Sequence, residues 1–135
     1  SDLLCHRAPG PDALVHRQAR LWDPVLGWAS EALDAPLVVT RGVIAVPQPP
    51  DSLSRLAAAV ARLDRFELAA FHDLVTISGS LVLALALERG RLDVVEAGQL
   101  ATLDEDWQAE QWGRDDEAAR QAAARARGFE RRIAS

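Results

Sequence analysis

The sequence has no methionine and no lysine, and only one cysteine. With Cys5 alone no intrachain disulfide can form, which excludes a disulfide-stapled secreted scaffold. No sequence neighbour turns Cys5 into a nucleophile, so it reads as a structural thiol. Without an initiator methionine, the 135 residues are expected to be a piece of a longer or processed chain. All fifteen basic side chains are arginine and alanine is abundant, the bias of a GC-rich bacterial genome. Long apolar runs are lacking too. The richest, Leu74 to Leu87, carries Thr76, Ser78 and Ser80; it is too short and too polar to cross a bilayer and reads as a core helix. There is no signal-peptide pattern.

Signatures of bound groups are also missing. His6, His16 and His72 stand apart, with no HExxH and no cysteine pair, so no metal is expected. No P-loop and no GxGxxG occurs, so a nucleotide site has no signature.

What is present is ordinary. Apolar residues make up 49% and charged residues 26%, the mix of one soluble globular domain over residues 1–135. A formal charge of −5 gives no electrostatic reason to expect nucleic acid or anionic lipid. The arginines near the carboxyl end are explained more simply as compensation of a helix dipole than as a nucleic-acid patch.

Helical spacing dominates. Gly10-Pro11-Asp12 opens a helix carrying Leu14, Leu21, Val25 and Trp28. Asp23-Pro24 either caps a second helix or kinks the first. Residues 37–46 form the one β-like run, with Arg41-Gly42 as a possible hairpin turn. Asp51 is suited to cap a helix with Leu53, Leu56, Val60 and Leu63 on one face. Phe66 to Glu88 reads as one helix, with Gly79 kept for a close crossing and Gly90 as its cap. Asp93 and Glu96 form a capping box for a helix reaching Trp112, stopped by Gly113. Asp115 to Glu117 then open a last helix ending among arginines. The expected fold is mainly α, with five or six helices and one short β element.

The stretch DEDWQAEQWG, Asp104 to Gly113, concentrates the chemistry. As an active site it needs two carboxylates in different environments, and nothing separates Asp106 from Glu110, one helical turn away. As a contact surface it offers tryptophan beside amides and carboxylates. Leu100, Leu103 and Trp107 form a stripe for the core, and Glu105, Gln108 and Trp112 fall on another face. Composition leaves open whether both tryptophans are core.

Five stretches, in order, resemble one family: DLLCHRA (2–8), LWDPVLGWA (21–29), GVIAVPQP (42–49), FHDLVTISGSLVLALAL (71–87) and DEDWQAEQWG. The chain is similar to the carboxyl-terminal domain of the ATP synthase assembly chaperones of the ATP-twelve family. The resemblance implies a non-enzymatic chaperone of α-proteobacterial type that needs no cofactor, cytoplasmic there and in the mitochondrial matrix of eukaryotic relatives. Such proteins bind the unassembled α subunit of the catalytic head and prevent its aggregation until β subunits replace it. It also implies a strand-rich amino-terminal domain, absent here, which DLLCHRA would join to this one. By motif match the partner surface comprises Glu105, Asp106, Trp107, Gln108, Glu110, Trp112 and Gly113, with Trp22, Asp23 and Pro24 alongside. Oligomeric state is left open, a monomer being the default. The alternatives are a helical adaptor for another partner and a carboxylate-based metal-dependent hydrolase.

Overall fold

The computed structural model describes residues 2–42 and 46–134, with side chains to residue 125. A 3-10 turn at Leu3–Cys5 leads into β1 (His6–Arg7), α1 (Asp12–Ala32), β2 (Thr40–Arg41), α2 (Pro50–Ala61) and α3 (Arg65–Ser78). Then come α4 (Leu81–Glu88), α5 (Val94–Ala101) and α6 (Leu103–Ala134). The chain divides into two units, residues 1–103 and 104–135. Six helices and one two-stranded sheet, among the described residues, give the mainly α fold expected.

The first unit is organised around α4. Val82, Leu83, Ala84, Leu85 and Ala86 are all buried, because α4 packs against α1, α3 and α5. Each of the larger three contributes about 1.5–3 kcal/mol by leaving water. Ala35, Leu56, Ala59 and Phe71 close the core beside it.

The apolar run is two helices, not the single one expected. Gly79 takes φ 74°, ψ 13°, and its N–H donates to the Val75 carbonyl (2.8 Å), ending α3. Ser80 starts α4, its hydroxyl accepting from the Leu83 N–H at 3.0 Å. Gly79 therefore serves a turn and no helix crossing. Gly90 does end α4: its N–H reaches the Leu87 carbonyl (3.1 Å) and that of Arg91 the Ala86 carbonyl (2.8 Å), closing a Schellman motif.

The β element is no hairpin within the described residues. β2 pairs in parallel with β1, His6 opposite Thr40 and Arg7 opposite Arg41. The return strand expected of a hairpin falls on residues 43–45, outside the described residues. Within DLLCHRA, Leu4 and Cys5 are buried, in keeping with Cys5 as a structural thiol. The Asp2 carboxylate accepts from Leu4 N–H (3.0 Å), Ser80 hydroxyl (2.6 Å) and Val82 N–H (3.0 Å). One side chain thus caps the 3-10 turn and the start of α4 together.

Other helix limits follow local rules. Pro24 lies inside α1, so the segment is one helix and Asp23 starts no new one. In α2, Pro50 takes the first helical position and Asp51 sits in the first turn rather than capping it. Its buried residues are Ser52, Leu56 and Ala59, whereas Leu53 is 50% exposed. The Ser52 hydroxyl donates to the Pro36 carbonyl at 2.5 Å, which turns that face inward. The Asp93–Glu96 capping box is present, and Asp64–Glu67 forms a second one. α5 stops at Ala101, before the expected Trp112, and α6 runs through Gly113 to Ala134. Glycine inside a helix costs about 1 kcal/mol, too little to end it without a left-handed turn or a proline.

Candidate partner-binding surface

Trp22, Asp23 and Pro24 occupy the middle of α1. Trp22 is fully buried and its indole N–H donates to the Leu100 carbonyl (2.9 Å), tying α1 to the end of α5. Arg7, 6% exposed, lies over the Trp22 ring with its guanidinium carbon 5.5 Å from the centroid. Its Nε donates to the Leu4 carbonyl (2.8 Å), and Nη2 sits 2.7 Å from Asp23 Oδ1. That last contact is ionic, off the N–H directions, since Nη2 gains no hydrogen bond. Asp23 and Pro24 are exposed, so they offer surface while Trp22 holds it from beneath. Arg7 escaped the sequence reading: an arginine two residues after a cysteine carries no local sign of burial.

The acidic stretch lies on α6. Leu103 and Trp107, one turn apart, are 2% and 7% exposed. Leu100, also buried, belongs to α5, so the expected stripe spans a helix break. Glu105, Gln108, Glu110 and Trp112 are exposed, as are Asp106 and Gly113. Trp112 stands 72% exposed on the face shared with Glu105 and Gln108. Trp107 and Trp112 thus divide into a packed ring and a displayed one. Asp104, Glu105 and Asp106 form the first turn of α6, where carboxylates offset the helix dipole. Part of the acidity is therefore helix stabilisation.

Among the described residues no group of three or more His, Cys, Asp or Glu side chains could hold a metal ion. Burial, with the Asp2 carboxylate adding to it, pushes the Cys5 thiol up to about 11, so it stays protonated and inert at neutral pH. No helix among the described residues is long and apolar enough to cross a membrane.

The first unit displays apolar surface, part of it (Ile77) in the run that the sequence reads as a core helix. Phe66, Ile77, Val94 and Val95 are each at least 67% exposed. Ile77 and Val94 border an apolar groove of about 170 Å³ between α3, α4 and α5, floored by Leu83, Ala84 and Leu87. The signal was faint, because helical periodicity marks which residues share a face and not whether another element covers it.

No family model matches the chain. Among solved structures it is similar to Atp12 from Paracoccus denitrificans, with 56% identity and a TM-score of 0.81 over 92% of this chain and 53% of that one. A mutant of the same Paracoccus protein matches equally. A candidate chaperone from Agrobacterium tumefaciens matches at 46% identity and TM-score 0.81, over 90% of this chain and 46% of its own. The chain spans about half the length of these solved relatives.

Proposed function

The chain belongs to the Atp12 family, and on that premise we propose that it is a molecular chaperone for ATP synthase assembly. It binds the unassembled α subunit of the catalytic head and keeps it from aggregating until β subunits take its place. The observation that carries the reading is Trp112, a large ring left 72% exposed beside Glu105 and Gln108. A free α subunit displays apolar surface that β normally covers, and such surface aggregates. Covering it reversibly calls for an aromatic anchor with polar neighbours, not a wholly apolar interface. Glu105, Asp106, Gln108, Glu110, Trp112 and Gly113 are the proposed contacts on the second unit, and Asp23 and Pro24 are proposed contacts on the first. Trp22 in α1 and Trp107 in α6 are buried and serve packing. The groove bordered by Ile77 and Val94 adds apolar area of the kind such a client requires. No step of this function needs a catalytic group.

The test is capture of newly made α subunit by the Glu105→Lys variant. Loss of a paired charge in a desolvated contact costs about 2–5 kcal/mol, roughly 30-fold to several thousand-fold in affinity. Because Glu105 lies in the first turn of α6, the same change should cost only about 0.3–1 kcal/mol of stability. Undiminished capture by the folded variant would remove Glu105 from the surface, and an adaptor role with another partner would take precedence.

A further inference from the structure

On one side of the first unit Phe66, Ile77, Val94 and Val95 stand exposed. Helical spacing sets Phe66, Ala70 and Ile77 on one face of α3, about 16 Å long. Beside Ile77 that face opens into the groove of about 170 Å³ that Val94 borders from α5. An apolar space of about 150 Å³ holds a ring the size of benzene, so the groove has room for one large apolar side chain. It stays open because α5 presents only Ala97, Gly98 and Ala101 to it beyond Val94. Gly98 costs that helix about 1 kcal/mol against alanine and relieves no clash, since a Cβ there would meet nothing within 4 Å. Packing within the unit does not account for it.

Two features define the occupant. The groove's walls are sides of helices, so they offer an extended backbone no ladder of partners. The Ser78 hydroxyl is spent as well, donating to the Leu74 carbonyl (2.7 Å) and accepting from the Ser80 N–H (3.2 Å). An extended segment would bury its N–H and C=O groups unmet, whereas a helix arrives with its own satisfied. Charge is the second feature. Glu67 and Asp73 lie on this side of α3, while Arg65 and His72 fall on the opposite side. Glu67 is held in its capping box, but Asp73 is exposed and forms no ion pair with a described residue.

We propose that the groove between α3, α4 and α5 receives an amphipathic helix of a partner protein. One large apolar residue of that helix seats between Ile77 and Val94, and a basic residue comes level with Asp73. Ile77 and Asp73 are one turn apart, so the two anchors are three or four residues apart on the partner helix. That this helix belongs to the α subunit rests on the client reading; that the groove takes such a helix does not.

The test is fluorescence anisotropy of the whole chain with two labelled peptides of about 18 residues, long enough to be helical alone. They share one row of leucines and differ only in carrying arginine or glutamate beside it. The arginine peptide should bind about fivefold more tightly, and Asp73→Arg should reverse the order. Gly98→Leu, which fills the groove, should weaken the arginine peptide about tenfold or more without lowering the melting temperature. Equal binding of the two peptides overturns the proposal, as does an arginine peptide that fails to bind by about 1 mM. Undiminished binding to folded Gly98→Leu overturns it too, and if that variant does not fold, Asp73→Arg decides alone. A dimer in sedimentation velocity that Gly98→Leu abolishes would put a second copy in the groove and overturn the proposal. Capture of newly made α subunit separates the two readings. Peptide binding without capture keeps the groove's role and removes the client, whereas equal capture by wild type and Gly98→Leu takes the client's helix out of the groove.

Discussion

Gly79 and Gly113 both sit in runs that favour helix, and only Gly79 ends one. Around Gly79 the rest of the fold supplies partners. The Gly79 carbonyl accepts the Leu3 N–H at 3.0 Å, while Asp2 satisfies the Ser80 hydroxyl and the Val82 N–H. A broken helix leaves donors and acceptors at its new ends, and here a segment nearly eighty residues away meets them. Gly113 is exposed, has no atom within 4 Å of where a Cβ would stand, and lacks the left-handed φ of Gly79. Continuing the helix is then the cheapest way to satisfy its backbone. A glycine breaks a helix where the break has partners waiting.

Substitutions at these positions test that contrast. Asp2→Ala should have the largest effect, about 2–4 kcal/mol by urea titration, from a lost cap and buried donors left unmet. Combined with Ser80→Ala it should cost less than the sum, as the two share one hydrogen bond. Additive losses would mean that Asp2 does not act through the α3–α4 turn. Gly79→Leu should cost about 1–3 kcal/mol through its positive φ. Space is not the obstacle, since its Cβ would meet only Leu3 Cβ at 3.9 Å. Gly79→Asn should cost clearly less, asparagine being tolerant of that conformation. Gly113→Ala should do the opposite and favour helix by about 1 kcal/mol, seen as higher helicity in circular dichroism. A fall in helicity would show that Gly113 serves a turn after all.

The smallest effect concerns Cys5, on the segment that closes the Gly79 turn. Its folded pKa of about 11 lies above the ordinary thiol value of 9.0. The protonated thiol is thus favoured in the fold, and its contribution to stability is complete below pH 9 and lost as pH rises through about 11. Iodoacetamide at pH 8 should label the native thiol far more slowly than the urea-unfolded one. Equal rates would contradict its burial.

Local chemistry was legible in the sequence wherever it acts over a few residues. Asp93 and Glu96 announce their capping box, and the start of α1 after Pro11 follows from proline and aspartate alone. The division of α3 from α4 was not, because Ser78-Gly79-Ser80 becomes a turn only once Asp2 arrives from the other end of the unit. Pairing of His6–Arg7 with Thr40–Arg41 is likewise nonlocal, and a β-branched run cannot name its partner strand. At the candidate surface, helical spacing separated Trp107 from Trp112 correctly. Spacing could not say that Trp22 is wholly enclosed, since that depends on Arg7 and Leu100 meeting it from distant segments.

Beside β2, the side-chain amide of Gln48 accepts from the Val38 N–H (2.7 Å) and donates to the Val38 carbonyl (2.9 Å). One glutamine thereby makes the paired bonds that a neighbouring strand would otherwise make. Open strand edges recruit other chains into sheets that grow without limit. At Val38 both backbone groups are already spent on Gln48, so a strand arriving there would first have to displace that amide.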